Sequence, residues 1–154
     1  MRKRWLRIGI LAGALFVINV AGRLVVRLGS IEEVDSQDRV TLLTYAAVGL
    51  LMAVLAIWWG RLRPLGVVVA DLAGAAVAAG VLILLVGPFV SGTSPAAVGV
   101  GDSFNVAWQF AGFVAGGSLL GMLLLIMVGR DYKSRSLKQF AESKLTKPHR
   151  PVRR

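Results

Sequence analysis

The sequence predicts an all-α integral membrane protein: four transmembrane helices in an up-down bundle, with both termini cytoplasmic. Three observations carry this expectation. The 154 residues are 56% hydrophobic and only 17% charged, and mean hydropathy is +0.70. The apolar residues come in long uninterrupted runs rather than at amphipathic spacing. The basic residues, finally, collect on alternate connections.

Four segments reach the ~20 apolar residues needed to cross a ~30 Å hydrocarbon core. They run from Leu6 to Val26, Val40 to Trp59, Leu65 to Val90 and Val106 to Val128. With no water to satisfy the backbone in lipid, each is expected as a helix. Residues 1–128 thus form the membrane domain and residues 129–154 a basic cytoplasmic tail. Pro64 suits the first turn of the third helix, where no amide donor is lost, and Gly87-Pro88 suits its exit.

Charge sets the orientation. All but three of the 18 basic residues lie at the N-terminus, in the link Arg61-Leu62-Arg63 or in the tail after Gly129. The exceptions, Arg23, Arg27 and Arg39, flank an acidic loop containing Glu32, Glu33, Asp35 and Asp38. The positive-inside rule then places both termini in the cytoplasm. Trp5, Trp58 and Trp59 fall at the expected inner boundary, and Phe89, Phe104 and Trp108 near the outer one, depths that amphipathic rings favour. A competing reading takes Met1 to Gly22 as a signal peptide, with a basic start and an apolar centre, but Asn19-Val20-Ala21 makes a poor cleavage site. Richness in Ala, Val, Gly and Arg points to a bacterial source, and the expected location is the inner (plasma) membrane.

Composition excludes much chemistry. There is no Cys and one His, His149 in the tail, so thiolate chemistry, Cys–Zn sites and His-based triads within one chain are out. No Walker A, HExxH, GxSxG or paired-acid motif occurs. Gly99-Val100-Gly101 does not extend to a dinucleotide fingerprint. Ser30 to Glu33 could form a capping box, without a catalytic partner. Neither enzyme activity, cofactor nor metal is expected.

An ionisable residue inside a span is a functional candidate by default. Asp71 is the sharpest, roughly 10 Å above the inner boundary at 1.5 Å rise per residue. It shares a face with Gly74, Ala75 and Ala78 at i+3, i+4 and i+7. It is either a proton or cation site, or a carboxylate paired with Arg7, Arg61 or Arg63, or a protonated and hydrogen-bonded group. A second polar group lies in the outer half. Asn19 and Arg23 share a stripe with Ala12, Phe16 and Arg27. Thr41, Thr44 and Tyr45 share a face of the second span, and Gln109 a face of the fourth with Gly112, Phe113 and Gly116. Asn19, Tyr45 and Gln109 fall at similar depth and could converge on a small polar pocket. The plainer reading is inter-helical hydrogen bonds, with Arg23 and Arg27 snorkelling to meet Glu32, Glu33 or Asp102. Asp71 and Arg23 sit near opposite ends of their spans and are not expected to pair.

Small-xxx-small patterns let helices approach closely. They occur at Gly9 and Gly13, at Ala70, Gly74 and Ala78, and at Gly112 and Gly116 followed by Gly117 and Gly121. The last two pairs occupy adjoining faces, so one can pack inside the chain and leave the other for a partner. The connection from Ser91 to Asn105 reads as a loop. In the tail, Leu137, Phe140, Ala141 and Leu145 recur at helical spacing among Lys133, Arg135, Lys138 and Lys144. That predicts an amphipathic helix on anionic lipid headgroups at the cytoplasmic face, ended by Pro148 and Pro151. A pI of 11.3 also raises nucleic acid, but topology already explains most of the charge.

The functional expectation is therefore a non-catalytic multi-pass membrane protein acting through contact. It would be an accessory or assembly subunit of the bacterial envelope, or a homo-oligomer. The alternative is a small proton- or cation-coupled transporter or channel using Asp71.

Overall fold

Each of the four apolar runs forms one long helix in the computed structural model, which describes residues 2–29, 34–94, 97–130 and 132–145. The helices are α1 (Arg2–Leu28), α2 (Val34–Leu62), α3 (Leu65–Val90) and α4 (Val100–Met127), followed by a shorter α5 (Tyr132–Leu145). Among the described residues there is no strand. α1 to α4 are long and apolar enough to cross a membrane.

The third helix has the boundaries that the apolar run predicts. The other three extend beyond their apolar runs, because a helix does not end where hydropathy falls. α1 begins at Arg2, not Leu6; α2 takes in Val34 to Arg39; α4 begins at Val100, so Gly101 to Asn105 are helical rather than loop. Pro64 stands at the N-cap of α3, one position before the first turn, and its carbonyl accepts the Val67 and Val68 amides at 3.0 and 3.2 Å. α4 is closed by Gly129, whose φ of +62° turns the chain out of the helix while its amide bonds Ile126. Side chains other than glycine adopt that left-handed backbone at a cost. The capping box at Ser30 to Glu33, Pro95 of the connecting loop and the prolines of the tail lie outside the described residues.

α2 and α4 share the largest interface, and α1 and α3 the next. The core is a column of Leu15, Val48, Met52, Val68, Leu72 and Ile83, all essentially inaccessible. The outside is just as apolar. Leu50 is 68% exposed and Val17 63%, and large aliphatic side chains cover the helix surfaces. Water-soluble proteins rarely expose contiguous apolar area on this scale; a lipid environment accepts it. Aromatic rings crown both ends, with Trp5 71% exposed at one and Trp108 70% at the other.

Candidate functional site

Two polar clusters lie at opposite ends of the helices. The first is built on Asp71, in the second turn of α3, whose side chain is 2% exposed. Its Oδ1 accepts the Arg4 Nε at 2.5 Å, and its Oδ2 accepts an Nη of Arg63 at 3.1 Å. The Arg63 guanidinium also lies 5.9 Å from the Trp59 ring centroid, within cation–π range. One carboxylate therefore ties the start of α1 and the α2–α3 link to α3. Of the three arginines named from sequence, Arg63 is a partner and Arg7 and Arg61 are not. The helix already formed at Arg2 places Arg4, one turn before Arg7, at the level of Asp71. Arg61 is exposed on α2. Of the small residues expected on the Asp71 face, only Ala75 is buried; Gly74 and Ala78 are exposed.

The second cluster gathers at the C-terminal ends of α1 and α3 and the first turns of α2. Asn19 and Tyr45, both buried, line a cavity of about 390 Å³ with Arg23, Arg27, Thr41 and Ser91. Arg23 donates from Nε to Asn19 Oδ1 at 3.0 Å and from Nη to Ser91 Oγ at 3.1 Å. Arg27 donates from Nη to the Val90 carbonyl at 2.8 Å. Two glycines shape this end. A Cβ at Gly87 would stand 2.9 Å from the Arg23 guanidinium carbon, and one at Gly22 would strike the Thr44 side chain. The expected ion pair with Asp102 is not formed: both arginines reach the α3 terminus instead, because α1 packs on α3 along its length. Glu32 and Glu33 lie outside the described residues.

Gln109 does not join this pocket. It is exposed and bonds Asn105 one turn earlier at 3.2 Å. Its neighbour Phe113 reaches α2, where its ring stacks on Tyr45 at 5.7 Å. That contact fixes the rotation of α4 and turns Gln109 toward an apolar groove between α2 and α4.

The glycines of α4 divide by face. A Cβ at Gly117 would collide with the backbone of Gly49, and one at Gly121 with that of Ala53, so α2 and α4 touch backbone to backbone. A Cβ at Gly112 or Gly116 would meet nothing within 4 Å, and both residues line the open groove. Gly9 and Gly13 likewise face open space, and at Gly74 only Ile8 comes near, at 3.9 Å. On α5, Lys133, Arg135 and Lys138 are exposed, as are Leu137 and Phe140; the Lys144 side chain lies outside the described residues.

Sequence reading did not single out Arg4 or Ser91. Arg4 was one of four N-terminal cations with nothing to rank them, and Ser91 was one of several polar loop residues. Nothing in the sequence separates Ser91 from the other polar residues of that connection. Among the described residues no group of three His, Cys, Asp or Glu could hold a metal ion. No protein-family model, no curated protein and no solved structure matches this chain.

Proposed function

We propose that the chain is a non-catalytic multi-pass membrane protein that works by contact, as an accessory or assembly subunit of the bacterial cell envelope or as a homo-oligomer. In this reading the four helices cross the inner membrane up and down, with both termini in the cytoplasm. The Asp71 end faces the cytoplasm, and α5 lies against anionic headgroups there.

The observation that carries the proposal is the division of α4 into two small-residue faces. Gly117 and Gly121 are used against α2, while Gly112 and Gly116 border an uncovered apolar groove. Such a face admits another helix at close range, where van der Waals packing drives association in lipid. The tying of Asp71 to two arginines gives it a structural role that this reading accommodates. The test is the mass of the protein captured in mild detergent, measured by light scattering. The expected result is an assembly larger than one chain, reduced in mass by Gly116→Leu at unchanged helix content. A wild-type protein that runs as a single chain with nothing bound would overturn the proposal.

A further inference from the structure

Arg23 and Arg27 close the end of α1, and among the described residues neither meets a carboxylate. Neutral oxygens hold them instead: Asn19, Ser91 and the Val90 carbonyl. A guanidinium carries five N–H donors and no acceptor. These three bonds therefore leave N–H groups of both arginines unsatisfied by the described residues. They border a cavity of about 390 Å³ whose described lining holds no acidic side chain, a size within the ~300–1,000 Å³ of small-molecule sites.

The helix ends around the cavity carry both signs. Gln37 in the first turn of α2 lines it, as do Thr41 one turn further on and Ser91 at the C-cap of α3. A helix N-terminus carries partial positive charge and a C-terminus partial negative charge, so it is the two guanidinium groups that make the described lining positive. Gly87 leaves the space that the Arg23 guanidinium occupies, since a Cβ there would stand 2.9 Å from its carbon. The described lining would repel a cation, and a neutral molecule would offer its guanidinium groups no counter-charge. An oxyanion satisfies both, and planar guanidinium groups match phosphate geometry in a bidentate fashion.

We propose that this cavity binds a phosphate oxyanion between Arg23 and Arg27, carried either by an anionic phospholipid headgroup or by free phosphate. The cavity opens at one end of four membrane-length helices, the level at which headgroup phosphates lie. The inference goes beyond the contact role and requires no protein partner; only the lipid source rests on the membrane-spanning reading.

The test is native mass spectrometry of the full chain in detergent, offered phosphatidylglycerol or diacylglycerol, which lacks the phosphate, of identical acyl chains. Wild type should prefer phosphatidylglycerol by about tenfold or more, as charge-assisted hydrogen bonds imply. The double variant Arg23→Gln, Arg27→Gln should lose that preference. Arg61→Gln with Arg130→Gln, a control whose residues do not line the cavity, should keep it. Inorganic phosphate that binds lipid-free protein and displaces the lipid assigns the free anion; lipid preference undisturbed by phosphate assigns the headgroup. Equal binding of both lipids, with no binding of inorganic phosphate, overturns the proposal and leaves the arginines as snorkelling side chains. A preference that survives the double variant also overturns it. Should that variant lose its helical circular dichroism, Ser91→Ala and Arg27→Lys replace it. Each must weaken the binding severalfold, and unchanged binding in both refutes the site.

Discussion

Gly116 and Gly117 are neighbours in sequence with opposite surroundings, so one methyl group added to each tests the α2–α4 crossing. A Cβ at position 117 would stand 2.7 Å from the carbonyl carbon of Gly49 and 2.8 Å from its Cα. Non-bonded carbons settle at about 3.5–4.0 Å, so the two helices must part by roughly 1 Å at this point. The obstacle is backbone, and no change of rotamer relieves it. Overpacking of this kind costs about 1–3 kcal/mol. It falls on the largest interface in the chain. At position 116 the same methyl meets nothing within 4 Å, and replacing glycine inside a helix contributes roughly 0.5–1 kcal/mol of stability. Thermal unfolding in mild detergent, followed by helical circular dichroism, reads the difference. At ~2–4 °C per kcal/mol for a chain of this size, Gly117→Ala should melt several degrees below wild type, and Gly116→Ala at or slightly above it. Gly117→Ala melting with or above Gly116→Ala would refute the backbone contact and the setting of α4 derived from it.

Asp71→Asn should lower the detergent melting temperature, because it removes the charge that bridges Arg4 and Arg63. The loss is about 1–3 kcal/mol for charge-assisted bonds, toward the lower end because the Arg4 side chain is half-exposed and can rehydrate. A proton flux in reconstituted vesicles that disappears in Asp71→Asn, with unchanged melting, would instead promote the transporter reading. A reporter active only outside the cytoplasm should be silent after Arg154 and active when inserted near Ser36 or Ser94; activity after Arg154 would reverse the orientation. A peptide spanning α5 should bind anionic vesicles and leave them at high salt, as screening of surface charge requires. Equal binding to neutral vesicles would remove the electrostatic part of that argument.

By itself the sequence determined the helices and their approximate ends. A run of some twenty apolar residues has one way to satisfy its backbone in lipid, and that requirement is local. Leu65–Val90 could therefore be read off directly, as could a helical tail segment and the separation of Asp71 from Arg23. The tertiary structure decided the rotation of each helix about its axis. A helix that is apolar all round carries no stripe to say which side faces its neighbours, so four candidate glycines on α4 looked alike. The Tyr45–Phe113 stacking and the Gly49–Gly117 contact then turned two inward and left two open. The same setting took Gln109 away from Asn19 and Tyr45 and brought Ser91 to Arg23. It also selected Arg4 over Arg7 as the partner of Asp71. Choices of this kind depend on the fit of one helix surface against another, which hydropathy along a single chain does not encode.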